Sequence, residues 1–155
     1  MNRRAQQRGQ TIVEFALIAP IVFLLLFVIV DFGIAMDRRI VLQHAVREGA
    51  RYAAVSDDRS LICKRTYCQA QEIAKDIEIS YEDIDGNHKN TDAGDAVDVK
   101  INFTYDPVLI RPIFSGLFGG TIGQIEMHPT GSFRLDRTVS GGAAGKCPAQ
   151  TLVCP

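Results

Sequence analysis

The side chains able to do chemistry in this 155-residue chain are four cysteines, three histidines and one run of acids. The cysteines sit as Cys63/Cys68 and Cys147/Cys154. Their C-x4-C and C-x6-C spacings suit neither a zinc knuckle nor a C-x-x-C redox motif, and no histidine lies near either pair. An even count split into two local pairs fits two short disulfides in an oxidising compartment. Three connectivities are open, and proximity favours Cys63–Cys68 with Cys147–Cys154. The acidic run YEDIDGNHKNTDAGD (81–95) alternates Asp83, Asp85 and Asn87 as a calcium loop does. Its glycine is misplaced for an EF-hand and no closing glutamate follows, so it reads as a solvated hairpin tip. His44, His88 and His128 fall in different segments, and no serine or cysteine occupies a nucleophile motif. The expectation is therefore no catalytic residue, no metal and no cofactor.

The remaining chemistry is done to the chain, at its N-terminus. Arg3, Arg4 and Arg8 precede RGQTIVEFAL (8–17), and no acid falls among the first nine residues. From Phe15 to Val30 no residue is charged. With Thr11 to Glu14 the segment spans about 30 Å at ~1.5 Å per residue, the thickness of a bilayer's hydrocarbon core. Pro20 is tolerated in a membrane helix. Three arginines before the run and Asp31 and Asp37 after it put the N-terminus in the cytoplasm and the body outside. The apolar core is too long for a cleaved signal peptide. Removing the leader's three arginines from the 17 basic residues leaves 14 against 18 acidic ones. That mildly acidic body, without tryptophan, argues against nucleic acid as a partner.

Glu14 needs a reason. An acid at the centre of a membrane helix costs about 2.5–3.5 kcal/mol, and less near the interface. Near the end of the run it could snorkel to water, as in an ordinary anchor. Alternatively the chain is cut after Gly9, and the new amine of Gln10 in one subunit pairs with the Glu14 carboxylate of its neighbour. Basic leader, glycine, four residues, glutamate-phenylalanine and an apolar helix together resemble a type IV prepilin processing site of the tight-adherence (Tad/Flp) branch. The resemblance implies cleavage by a prepilin peptidase between Gly9 and Gln10, with Glu14 and Phe15 in assembly.

Past the apolar run, Leu42, Ala45, Val46, Gly49 and Ala53 recur on one helical face, which extends the helix to about Val55. The small side chains predict an element packed close to the backbone. The stretch HAVREGARYAA (44–54) resembles the signature of the TadE-like minor pseudopilins, and Arg47, Glu48 and Arg51 within it read as a solvated face. After a polar turn, SDDRS, the T-x-x-Q form of Thr66 to Gln69 predicts a capping box and a second helix to about Ile77. Cys68 then falls in that helix's first turn and Cys63 on the loop before it.

From Ile77 the period changes to two. EISYEDI predicts a strand ended by Asp85-Gly86. In GDAVDVKINFTYDP, Val97, Val99, Ile101, Phe103 and Tyr105 alternate with polar residues. A third strand is expected around 123–135, with Pro129 and Gly131 as a bulge or break. Between the last two lies PVLIRPIFSGLFGG. It reads either as a loop over the core or as an exposed patch of Leu109, Ile113, Phe114, Leu117 and Phe118 for subunit contact. Strand, apolar Pro/Gly stretch and strand also loosely resemble the C-terminal half of TadE-like proteins over about 95–137.

The expected architecture is α+β and pilin-like. A leader (1–9) precedes a long helix (10–55, membrane-spanning over about 11–30), a head with a small antiparallel sheet (56–138) and a flexible tail (139–155). The resemblance implies a bacterial cytoplasmic-membrane protein, and as partners the bilayer, a prepilin peptidase, other pilins and the inner-membrane assembly machinery. A single-pass anchored binding domain, uncut, is the rival reading, and an enzyme assembled from scattered residues is the third.

Overall fold

The computed structural model describes residues 3–70, 73–74, 76–89, 91–119, 123–140, 143–148 and 154, with side chains from residue 11 onward apart from 117 and 118. Two compact units form, one from Met1–Ala35 with Asp106–Gly123, the other from Met36–Tyr105 with Gln124–Pro155. Helix α1 (Arg3–Ala53) contributes to both and continues through Pro20.

In the first unit, the side chains from Ile12 to Val30 are mostly exposed, among them Phe15 at 70% and Ile29 at 67%. A run so apolar and so uncovered fits a lipid environment rather than water. Leu24, Phe27, Asp31 and Ala35, all at least partly covered, form one helical stripe. The Pro/Gly stretch expected as a loop or patch contains a second element of this unit, α2 (Ile110–Phe118). Its apolar residues Ile110, Ile113, Phe114 and Leu117 fall at helical spacing. Gly119, at φ 65°, ends it in the left-handed conformation, with its N–H donating to the Ser115 carbonyl at 3.2 Å.

The second unit packs the rest of α1 and a helix α3 (Arg59–Gln69) with an antiparallel sheet. Strand β1 (Asp76–Glu82) pairs along its whole length with β2 (Ala96–Tyr105). On β2's other side lie β3 (Ile125–Met127) and β4 (Thr130–Arg134). Phe103 faces Met127 and Lys100 faces Thr130 in one register, so Pro129 breaks the strand without shifting it. The Pro129 carbonyl still accepts from the Ile101 N–H at 3.0 Å. The inward residues are the alternating ones: Ile77, Ile79, Val97, Val99 and Ile101 are essentially inaccessible.

Helix α3 begins earlier than the capping-box pattern predicts. Asp58, within the expected turn, is its N-cap and accepts from the Ser60 and Leu61 N–H groups at 2.9 and 3.3 Å. Thr66 is fully buried inside the helix, its hydroxyl donating to the Ile62 carbonyl at 2.9 Å. Gly49 explains the difference. A Cβ there would collide with Thr66 Oγ1, so the missing side chain makes room for Thr66 as a packing group.

The cysteines do not pair locally as expected. Cys63 lies in the middle of α3 and Cys68 near its end. Their five-residue separation amounts to about 7.5 Å of rise along one helix, beyond the usual ~6.8 Å Cα reach of a disulfide. Each pairs instead with the tail, Cys63–Cys147 and Cys68–Cys154, across 84 and 86 residues. Part of the tail expected to be flexible is built into this unit. Ala143 is fully buried, and β5 (Gly145–Lys146) pairs with β1. Arg59 Nε donates to the Ala143 carbonyl at 3.1 Å, and its Nη2 donates to that of Ala144.

The predicted close approach to α1 is also made from the sheet side. A Cβ on Gly131 of β4 would lie 2.6 Å from the Val46 carbonyl carbon and oxygen. Backbone cannot yield there, so Gly131→Ala should destabilise this unit by about 1–3 kcal/mol. Gly49→Ala should be partly rescued by adding Thr66→Ala, because the obstructing atom is a side chain and alanine gains about 1 kcal/mol of helix propensity. Thermal unfolding of the detergent-solubilised chain measures both; a neutral Gly131→Ala would contradict the close packing.

Candidate anchor and assembly site

Gly9 and Gln10 lie within α1, while their surroundings fall outside the described side chains. Glu14 and Phe15 follow on the same helix, both exposed. Glu14 has no ion-pair or hydrogen-bond partner among the described residues. Position, exposure and charge leave it able to accept a cation from outside its own chain.

A second acid of the first unit, Asp31, has the opposite environment. Asp31, immediately after the apolar run, is 4% exposed. Its Oδ1 accepts from the Val108 and Leu109 N–H groups, both at 3.2 Å, and its Oδ2 from Leu109 and Ile110 at 3.0 and 2.8 Å. Leu109, the N-cap of α2, offers no side-chain acceptor of its own. A carboxylate from α1 therefore caps α2 and satisfies its orphan amides, where the helix dipole also favours negative charge. Nothing in the sequence reading assigned Asp31 this role. The available signal was an acid at the end of a 16-residue uncharged run.

Leu109, Ile113 and Phe114 of the suggested contact patch are half-buried on and beside α2, not fully exposed; the side chains of Leu117 and Phe118 fall outside those described. Arg111 pairs with Asp106 at 3.0 Å.

In the second unit, Glu48 and Arg51 form a 3.1 Å ion pair on α1, which Arg65 approaches at 3.8 Å while stacking 4.5 Å over the Tyr52 ring. The hydrogen bond from Arg51 holds the Glu48 carboxyl below the usual carboxylate range. Glu48 and Arg51, expected with Arg47 as a solvated face, border an open cleft of about 440 Å³ with Tyr52, Val55, Phe133 and Asp136.

Oxygens of Asp83, Asp85 and Asp95 converge within 4.8 Å. They are engaged by amides: Asp83 accepts from Gly86 and His88, both at 2.7 Å, and Asp95 from Ile84 and Asp92 at 3.1 and 2.9 Å. Asn87, counted with the acids as a candidate ligand, donates to Asp85 at 2.7 Å. The cluster folds the loop between β1 and β2, and His88 closes it at φ 66°. His44 and His128 lie elsewhere, His128 within 3.0 Å of Asn102.

Residues 9–51 match the family model of TadE-like proteins. That stretch is similar to TadE-like proteins. No curated protein and no solved structure matches it. The matched stretch starts at Gly9 and contains Glu14, Asp31 and Gly49. The match relates that stretch to TadE-like proteins, and the helix carrying it is long and apolar enough to cross a membrane. The cysteines, the sheet and α2 lie beyond the match, as do residues 95–137, which carry the looser resemblance.

Two outcomes test the acids. Asp31→Ala removes four accepted hydrogen bonds and should weaken α2 by about 0.5–2 kcal/mol, the range for a lost N-cap; hydrogen exchange at Val108, Leu109 and Ile110 reads it, and unchanged protection would refute the cap. For the loop, burial would raise the Asp83 carboxyl, but the Gly86 and His88 amides outweigh it and hold it below 3.8. A depressed carboxyl stabilises the fold above its unfolded value and loses that contribution as pH falls through the folded one. Amide protection at Gly86 and His88 should thus decline on acidification below about pH 4, and Asp83→Asn should show the weaker protection already at neutral pH.

Proposed function

We propose that this chain is a minor pilin, or pseudopilin, of a Tad/Flp-type pilus, matured by a prepilin peptidase that cuts after Gly9. The observation that carries the reading is Glu14: an exposed acid, without a partner among the described residues, five positions beyond Gly9 at the mouth of an apolar helix. Cleavage would create an α-amino group at Gln10. Stacked subunits could then pair that amine with a neighbour's Glu14, offsetting the cost of a carboxylate at the membrane edge and setting the register of helices packed through apolar contacts. Phe15 and the exposed side chains that follow would supply those contacts.

The arginines of the leader favour a cytoplasmic N-terminus and an extracytoplasmic second unit. Two disulfides in that unit agree with an oxidising compartment. Its partners would be other pilins and the inner-membrane assembly machinery, and its role assembly for adhesion or secretion rather than catalysis. An uncut anchored binding domain, which could use the Glu48–Phe133 cleft, is the alternative.

N-terminal sequencing and intact mass of protein from native membranes decide between them. A chain beginning at Gln10 is expected; one beginning at Met1 in cells with active peptidase would leave the plain anchor. Gly9→Val should block maturation. Glu14→Ala should be cut normally yet fail to enter the pilus, and normal piliation in both variants would sink the assembly mechanism.

A further inference from the structure

The first unit contains more of the chain than a membrane anchor needs. Residues 106–123, far along the sequence, belong to it together with the apolar part of α1. Their attachment point is Asp31, one residue past the uncharged run, so the N-terminus of α2 is held at the level where that run ends. On α2, Ile110, Ile113 and Phe114 are half-buried. Val108, just before the helix, is 65% exposed, as is much of neighbouring α1: Ile29 at 67%, Phe32 at 60%. In water these apolar surfaces would be unfavourable.

We propose that α2 is an interfacial helix, lying in the boundary layer of the bilayer that α1 spans, at the Asp31 end of the span. The acyl-chain boundary is the occupant that continuity favours, because the surface beside α2 is the lipid-exposed part of α1 itself. A short helix with one apolar face suits that layer. Arg111, half-exposed beside Asp106, can extend its guanidinium toward lipid phosphate while its stem stays in apolar surroundings. The Asp31 cap allows this arrangement. It removes from the boundary layer both a bare carboxylate and the unpaired amides at the start of α2, groups that lipid cannot satisfy. The unit then meets the membrane through two elements, and α2 fixes how deeply α1 can sink.

The chain has no tryptophan, so one introduced indole reports its own surroundings. Full-length Phe114→Trp, with Ile113→Trp as a second reporter should the first fail to fold, is reconstituted sparsely into phosphatidylcholine/phosphatidylglycerol vesicles. Lipids brominated near the glycerol end or near the methyl end serve as quenchers. A blue-shifted emission that loses more than half its intensity to the shallow quencher is expected, while Phe133→Trp in the sheet keeps its emission. Stronger quenching by the deep lipid would place the helix in the bilayer centre and overturn the interfacial reading. Emission insensitive to both lipids would also overturn it, whether aqueous acrylamide reaches the indole or a second copy of the chain covers it.

Discussion

Close approach to the backbone of α1 governs the second unit. Gly49 admits Thr66 of α3 on one side, and Gly131 of β4 meets the Val46 carbonyl on another. Between these contacts the helix presents only small or moderate side chains, Leu42, Ala45, Val46, Ala50 and Ala53, all fully buried. Atoms packed at van der Waals distance gain dispersion energy collectively and leave no room for adjustment. The remaining parts inherit their positions from this. With β4 seated on α1, its register on β2 sets the sheet, and with α3 seated on α1, Cys63 and Cys68 are carried to the tail. Loops of 84 and 86 residues are then closed covalently. In a chain-entropy picture each such closure removes about 4–5 kcal/mol of unfolded-state freedom when taken alone. The two loops overlap, so their effects do not add.

The two acids that bracket the apolar run show how one residue type takes different roles through its neighbours. Asp31 is buried and surrounded by donors, and its charge is used up inside the chain. Glu14 is exposed and lacks a described partner, so its charge remains available to something outside. A satisfied acid orders its own unit. An unsatisfied one at a membrane edge is stabilised either by reaching water or by a counter-charge on another molecule, and the second is the physical sense of proposing Glu14 as an assembly residue.

Much of the architecture was legible from local pattern. The small-residue face of α1 and the alternation of Val97 to Tyr105 each repeat at the period of their own element, and the structure follows them, as it does the uniform apolar run. The TadE-like match falls on the same stretch as the sharper motif resemblance. Local pattern misled at Thr66, where a capping-box sequence lies inside a helix. It also left PVLIRPIFSGLFGG open between loop and patch, because two prolines and several glycines obscured a helix whose N-terminus is capped by another element.

What the sequence by itself determined, then, is carried by neighbours a few residues apart: the long apolar helix, the alternating strand and the lipid-compatible run. Tertiary structure alone decided which cysteines join, that Asp31 caps α2, and that part of the tail completes the sheet edge at β5. Those choices link residues about 65 to 90 positions apart. At such separations backbone periodicity carries no signal, and only the faces brought together by packing select the partner.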